Sequence, residues 1–141
     1  DVTPPAFPGA CLLVDRPYRA EAPETDALKE ICQQLATKNN QKVVITSVPG
    51  NDANQIKVAC FDSNTQTFAQ YSTVRIPFAT CGTGDLFTSV LTGAMLQGKT
   101  LSESVQVAMK FVSLAIDFTY KSGSDYREGV QVEPCLRHLF D

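Results

Sequence analysis

Hydrophobic residues recur at two different spacings along the chain. From Thr25 to Asn39 they return every three or four positions, with Lys, Glu and Gln between them, which predicts an amphipathic helix. Residues 42–48, KVVITSV, are too few and too rich in β-branched side chains for a helix and predict a buried strand. QIKVACF and TFAQYSTVRI follow around the turn sequence DSNT and predict a β-hairpin. Residues 1–9, with three prolines, predict an irregular loop.

Helical patterns predominate after the hairpin. The run DLFTSVLTGAMLQG, from Asp85, is apolar on most faces and predicts a helix ended by Gly98. Thr100 and Glu103 form a capping-box pattern before a second helix. Residues 134–140 predict a short terminal helix with a proline in its first turn. The order helix, strand, hairpin, helix, helix predicts an α/β layered fold.

The composition describes one acidic domain. With 141 residues, of which 43% are hydrophobic, the chain can bury one ordinary core, so we predict a single domain over residues 1–141. Its net charge is -3 and it has no run of Lys or Arg, which argues against nucleic-acid and membrane partners. No apolar stretch approaches the roughly 18 residues of a membrane span, and no signal-peptide pattern opens the chain. We therefore expect a cytoplasmic protein.

The cysteines argue against a zinc site. They are five in number, widely spaced and without a C-x-x-C pair, and the chain has one histidine, so reduced thiols are expected and no metal ligand is predicted. Cys81 stands directly before a glycine-rich turn. A helix start there would lower its thiol pKa, but a small buried core residue is the favoured interpretation. The five are Cys11, Cys32, Cys60, Cys81 and Cys135.

A glycine-rich turn opens the first helix after the hairpin. Gly82, Thr83 and Gly84 precede Asp85 at the point where a helix leaves N–H groups without partners and carries partial positive charge, so the turn could hold a phosphate. Glycine lets the backbone approach an anion closely. Asp85 could cap the helix, or it could accept the proton of an attacking hydroxyl in phosphoryl transfer. The turn is neither a Walker A loop nor a dinucleotide fingerprint, since the lysine and the third glycine are absent.

The stretch FATCGTGDLFTSVLTGAMLQGKTLSESVQVAMKFVSLAIDFTY resembles the C-terminal signature of the ribokinase-like superfamily, most closely the pyridoxal (pyridoxine, pyridoxamine) kinases. KVVITSV resembles the strand of that family that reaches the ATP phosphates, and DYREGVQVEPCL is similar to the tail of bacterial pyridoxal kinases. The resemblance implies the layered αβα fold of the superfamily. It also implies that the chain is the C-terminal, catalytic half of such a kinase, with the N-terminal half absent.

The resemblance assigns roles to individual residues. It implies that Asp85 is the catalytic base, which removes the proton from the 5'-hydroxymethyl group of pyridoxal, pyridoxine or pyridoxamine, and that ATP and Mg²⁺ are the cofactors. Residues 82–84 would form the anion hole for the γ-phosphate. Thr46 and Ser47 would contact ATP phosphates, and residues 74–78 are a candidate wall for adenine.

One departure from the family concerns magnesium. The family's N-x-x-E motif, whose Asn and Glu organise magnesium and phosphates, aligns with Pro5, Ala6, Phe7 and Pro8, so neither polar side chain is present. The second departure is length, because these kinases are about twice as long. A half sheet exposes an apolar edge. We therefore expect a homodimer or an N-terminal complement to stabilise the chain.

Two rival functions stay open. Hydroxymethylpyrimidine (phosphate) kinases belong to the same superfamily and have a similar turn, but they often carry a cysteine where Thr83 stands here, which favours the vitamin B6 substrate. A non-catalytic nucleotide-binding relic would keep the turn and lose the Asn and Glu. Pro5 and Pro8 are the residues that support the relic.

Overall fold

A computed structural model describes residues 2–37, 41–76, 81–123 and 125–140. The chain forms two compact units, Asp1–Arg75 and Ile76–Asp141. The first unit contains both strands and helices, and the described part of the second unit contains helices. The predicted α/β class is therefore confirmed. None of the described helices combines the length and the apolar character needed to cross a membrane. That residues 1–141 act as one domain stays a prediction.

The described residues of the first unit form a four-stranded sheet in chain order. β1 runs parallel to β2, whereas β2 and β3, and β3 and β4, pair antiparallel, so the predicted strand and hairpin are confirmed. Their bounds are β1 (Val2–Thr3), β2 (Lys42–Pro49), β3 (Gln55–Asp62) and β4 (Thr67–Val74).

Two helices accompany this sheet, α1 (Phe7–Leu13) and α2 (Thr25–Leu35). The prediction of an irregular loop at residues 1–9 is wrong, because β1 and the first turn of α1 lie there. Pro8 is compatible with that first turn, where the missing N–H is not needed. The predicted helix from Thr25 is confirmed and ends at Leu35, and its predicted end at Asn39 falls outside the described residues.

The core of the first unit lies between these helices and one face of the sheet. In β2 the core positions are Val43 and Ile45, two residues apart as strand pleating requires, and then Val48, three residues further on. The extra residue between Ile45 and Val48 interrupts the alternation of side chains within β2. The buried members of this core are Phe7, Ala10, Cys11, Leu28, Ile31, Cys32, Val43, Ile45, Val48, Ala59 and Phe61.

The second unit is built on two long helices, α3 (Thr83–Leu96) and α4 (Leu101–Lys121). The predicted capping box of α4 is confirmed: Glu103 N–H donates to Thr100 Oγ1 at 3.2 Å, and Thr100 N–H donates to Glu103 Oε2 at 3.0 Å. Gly98 follows α3 with a φ of 92°, as its predicted role in ending the helix requires.

The described residues of the tail after α4 include two short 3₁₀ helices, Tyr126–Glu128 and Glu133–Phe140. The second confirms the predicted terminal helix at residues 134–140, as a 3₁₀ helix. Apolar residues of this tail pack with α3 and α4 in one cluster, which holds the tail against both helices. The cluster comprises buried Phe111, Ala115 and Cys135 with Leu86, Val90, Leu114, Val130, Val132 and Leu139 around them.

Candidate functional site

Helix α3 begins at a glycine in a left-handed conformation. Gly82 is the N-cap, with a φ of 86° and a ψ of 1°. Its carbonyl oxygen accepts the first helical hydrogen bond, from Leu86 N–H at 3.0 Å. Since a side chain at this φ costs about 1–2 kcal/mol of backbone strain, the path of the turn itself requires glycine at position 82.

The second glycine of the turn has a different role. Gly84 is exposed in the first turn of α3, its φ is not positive, and a Cβ placed on it would meet no atom of the described residues within 4 Å. Glycine destabilises a helix by about 1 kcal/mol relative to alanine, and the surrounding protein shows no steric need for it. The open space above Gly84 suits a ligand that approaches the backbone closely.

The backbone N–H groups of residues 83–85 make this helix start suitable for an anion. Among the described residues, none of these three groups has a hydrogen-bond acceptor. The dipole of α3 adds partial positive charge at the same end. Unpaired N–H donors and positive potential together bind phosphate groups at helix N-termini.

Asp85 adds a carboxylate to this turn. It is the acid in the first turn of α3, and its side chain is exposed. Ser89 Oγ donates to the backbone carbonyl of Asp85 at 2.8 Å, but within the described parts of the chain the carboxylate itself has no hydrogen bond or ion pair. A carboxylate that is not engaged elsewhere can accept a proton from a hydroxyl group.

The tail of the chain contacts the turn directly. Val130 N–H donates to the carbonyl oxygen of Cys81 at 3.1 Å, and a Cβ on Gly129 would lie 3.6 Å from the same oxygen. The sequence singled out this tail only through its family resemblance and gave no sign of the contact. Cys81 is exposed, so its interpretation as a buried core residue is wrong.

The remaining four thiols are buried. Burial raises the pKa of Cys32 to about 12 and that of Cys60 to about 11, from an ordinary 9.0. Burial also raises the pKa of Cys11 and of Cys135. These thiols stay protonated at neutral pH and have the character of core residues.

Thr46 and Ser47 form a β-bulge in β2 of the first unit. Ile45 pairs with Ala59 and Val48 pairs with Lys57, so both residues oppose a single position of β3. Ser47 is exposed and has a φ of 58°, in the left-handed region that residues other than glycine seldom adopt. Strained backbone of this kind concentrates at functional positions, and no sequence pattern indicated it here.

The segment that replaces the N-x-x-E motif lies beside this bulge. Thr46 N–H donates to the carbonyl oxygen of Pro5 at 3.0 Å, and Ala6 forms a parallel bridge with Thr46. The side chains of Pro5 and Pro8 carry no ligand atom. The segment that aligns with the motif thus lies next to Thr46, and its prolines lack the polar side chains of the family's Asn and Glu.

The described residues hold no magnesium site built from protein ligands alone. They contain no group of three or more His, Cys, Asp or Glu side chains placed to hold a metal ion. Mg²⁺ in proteins is usually held by one or two carboxylates together with substrate phosphates and water, and Asp85 offers one carboxylate for a site of that shared kind.

The predicted site residues thus fall into two groups. Gly82, Thr83, Gly84 and Asp85 come together at the start of α3 in the second unit. Thr46 and Ser47 share the bulge of the first unit. Of the proposed adenine wall, residues 77 and 78 lie outside the described residues.

A sequence model of the phosphomethylpyrimidine kinase family matches residues 1–129. Among solved structures, a candidate phosphomethylpyrimidine kinase from Bacteroides thetaiotaomicron matches the whole chain at 33% identity. Its rhombohedral form gives a TM-score of 0.93, and its orthorhombic form with pyridoxal gives 0.91.

Two pyridoxal kinases are also similar. The enzyme from Lactobacillus plantarum matches 99% of the chain at 28% identity, with a TM-score of 0.83. The pyridoxal kinase from Staphylococcus aureus, in complex with AMP-PCP and pyridoxal, matches 82% of the chain at 25% identity, with a TM-score of 0.68. These comparisons confirm the predicted fold and the predicted resemblance.

The chain spans about half the length of the solved chains that it matches. It covers 48% and 49% of the two Bacteroides chains, 49% of the Lactobacillus chain and 41% of the Staphylococcus chain.

Proposed function

Because this chain belongs to the phosphomethylpyrimidine kinase family, we propose that it takes part in transferring the γ-phosphate of ATP to a hydroxymethyl group on a small heterocycle. The substrate we propose first is pyridoxal, pyridoxine or pyridoxamine, which becomes the 5'-phosphate. The observation that carries the proposal is the exposed Asp85 carboxylate in the same helical turn as three N–H groups that have no acceptor among the described residues.

The proposed reaction is a direct transfer between two oxygens. Asp85 accepts the proton of the substrate hydroxyl, whose oxygen forms a bond to the γ-phosphorus while the bond from that phosphorus to the β,γ-bridging oxygen breaks and ADP leaves. The N–H groups of residues 83–85 stabilise negative charge on the moving phosphoryl group. Thr46 and Ser47 are proposed to donate hydrogen bonds to ATP phosphates. Mg²⁺ is proposed to enter as the MgATP complex.

The choice of vitamin B6 over a pyrimidine rests on the relatives. Pyridoxal is bound in the Staphylococcus kinase and in the Bacteroides protein, and the Lactobacillus relative is a pyridoxal kinase. Hydroxymethylpyrimidine, or its phosphate, is the alternative substrate, and the description of the matching family favours it. Pyridoxal and hydroxymethylpyrimidine both present a free hydroxymethyl group on an aromatic ring, so the same proton abstraction by Asp85 would serve either. In hydroxymethylpyrimidine phosphate that hydroxyl is already esterified, and an oxygen of the phosphate would accept the γ-phosphoryl group instead.

The proposal is tested by assays of the intact protein. By intact protein we mean the chain with any residues encoded before Asp1 or after Asp141. Each candidate alcohol is offered separately with MgATP, and phosphorylated product and ADP are quantified. Pyridoxal 5'-phosphate supports the first substrate, and a phosphorylated pyrimidine alone supports the alternative. ATP binding without product from any alcohol would contradict the kinase and identify a nucleotide-binding relic. The isolated 141-residue chain is assayed in parallel, since a homodimer or an N-terminal complement is proposed to be required.

A further inference from the structure

A hydroxyl in the core of the second unit connects helix α4 to the tail. Thr119 is fully buried near the end of α4. Its Oγ1 donates to the carbonyl oxygen of Ala115 at 2.7 Å and accepts from Gln131 N–H at 2.8 Å. The first of these bonds is a common arrangement for threonine in a helix, whereas the second holds a residue of the tail. One buried hydroxyl therefore joins two segments of the unit.

A second contact fixes the tail at the same place. Gln131 Nε2 donates to Ser122 Oγ at 3.2 Å, and Ser122 Oγ donates to the carbonyl oxygen of Thr119 at 2.8 Å. Gln131 is thus attached to the end of α4 through both its backbone and its side chain. Such a double attachment limits the positions that the neighbouring tail residue can adopt.

That neighbour is Val130, which contacts the turn before α3. Its N–H donates to the carbonyl oxygen of Cys81 at 3.1 Å, and its Cγ1 lies 4.0 Å from the position of a Cβ on Gly82. The Cys81 carbonyl and the Gly82 N–H belong to the same planar peptide unit. A hydrogen bond that orients this unit also restricts rotation about the φ of Gly82, and hence the direction in which α3 begins.

We infer that Thr119 is a positioning residue, which holds the turn at residues 81–85 in place through Gln131 and Val130. It lies in the core and acts through the tail, without touching the proposed substrate. The inference deepens the proposed function, on which its kinetic consequence rests. Groups that bind a phosphoryl group must be held within fractions of an ångström, so a loosened turn weakens MgATP binding.

The test compares matched variants of the intact protein. Thr119→Val keeps the shape of the side chain but removes the donor and the acceptor, and Thr119→Ser keeps both. Ser104→Ala is the control, because Ser104 is also fully buried in α4 and donates to the carbonyl of Thr100 at 2.7 Å, but among the described residues it has no bond to the tail. Ser122→Ala weakens the same attachment from an exposed position, so it tests the inference even if Thr119→Val does not fold.

We expect the KM for MgATP to rise about tenfold in Thr119→Val and about threefold in Ser122→Ala, with the KM for the alcohol changed less than about twofold. Thr119→Ser should restore the KM for MgATP to within about twofold of the wild type, and Ser104→Ala should leave it unchanged. A purely structural role for Thr119 would lower the amount of active enzyme without changing the KM. An unchanged KM for MgATP in both Thr119→Val and Ser122→Ala would overturn the inference.

Amide hydrogen exchange separates this inference from the proposed function. The protection of Val130 N–H should fall about tenfold or more in Thr119→Val and in Ser122→Ala, but not in Ser104→Ala. If the wild type phosphorylates no alcohol, the proposed function fails, and this exchange measurement still decides whether Thr119 holds the turn. Val130 protection equal to that of the wild type in both variants would refute the role of Thr119.

Discussion

Thr46 N–H donates a hydrogen bond to the carbonyl oxygen of Pro5 at 3.0 Å, which joins the bulge of β2 to the segment before α1. This bond needs only a carbonyl from Pro5, and Pro8 lies in the first turn of α1, so both prolines are compatible with the local backbone. The side chains of these two prolines cannot bind a phosphate group. The proposed kinase reaction therefore requires groups other than the Asn and Glu of the family's N-x-x-E motif to organise magnesium and the phosphates.

Replacement of Asp85 by asparagine should remove catalysis and spare nucleotide binding. The amide cannot accept the proton of the hydroxyl, so we expect kcat of the intact protein to fall about 10³- to 10⁴-fold, while the KM for MgATP stays within about threefold. Asp26→Asn is the matched control, since Asp26 is an exposed acid in the first turn of α2. Steady-state kinetics with the accepted alcohol measure both. Retained kcat in Asp85→Asn would remove Asp85 from the mechanism.

Gly84→Ala should separate stability from activity. Within the described parts of the chain the added methyl meets no atom within 4 Å, and alanine favours the helix, so the free energy of unfolding should rise by about 0.5–1 kcal/mol. The same methyl occupies the space proposed for phosphate, so kcat/KM for MgATP should fall about a hundredfold.

Gly93→Ala is the control for this substitution, because Gly93 also lies in α3 and no atom of the residues that the structure describes is within 4 Å of its Cβ position. It should give a similar gain in stability and unchanged kinetics. Urea unfolding and initial rates are measured on both variants. Full activity in Gly84→Ala would show that no ligand approaches that position.

Ser47→Gly should relieve backbone strain and weaken nucleotide binding. Glycine accepts the φ of 58° without cost, so the free energy of unfolding should rise by up to about 1 kcal/mol. Loss of the hydroxyl should raise the KM for MgATP about five- to tenfold. Asp15→Gly is the control, because Asp15 has a similar φ of 56° and no proposed contact with ATP. An unchanged KM in Ser47→Gly would exclude a phosphate contact from the Ser47 side chain.

Stability should decline at alkaline pH because of the buried thiols. In the unfolded chain thiols ionise near 9.0, whereas burial raises the pKa of Cys32 to about 12 and that of Cys60 to about 11. Their contribution to stability is therefore complete below pH 9 and is lost as the pH rises from 9 towards 11 to 12. Urea unfolding between pH 7.5 and 10.5 should show a shallower decline in Cys32→Ala than in the wild type. Cys81→Ala, at an exposed site, should follow the wild type, and equal slopes in all three would contradict the burial of Cys32.

Local sequence patterns predicted most of the elements and the main part of the candidate site. The capping box at Thr100 and Glu103 and the glycine-rich turn before α3 involve residues only a few positions apart, so they could be recognised without any tertiary contact. The prediction of a loop at residues 1–9 was wrong because it rested on the number of prolines. Proline is common both in loops and in the first turn of a helix, where Pro8 lies, so composition could not distinguish the two.

By itself, the sequence determined the order of helices and strands, the helix start at residues 82–85 and the resemblance to a kinase family, since periodicity, caps and motifs are encoded in neighbouring residues. Only the tertiary structure decided that Ser47 lies in a strained bulge, that Cys81 is exposed and that Val130 holds the carbonyl of Cys81. These features depend on strand register and on contacts between segments far apart in the chain. The cost of bringing such segments together is met by packing of the whole unit, which no local pattern records.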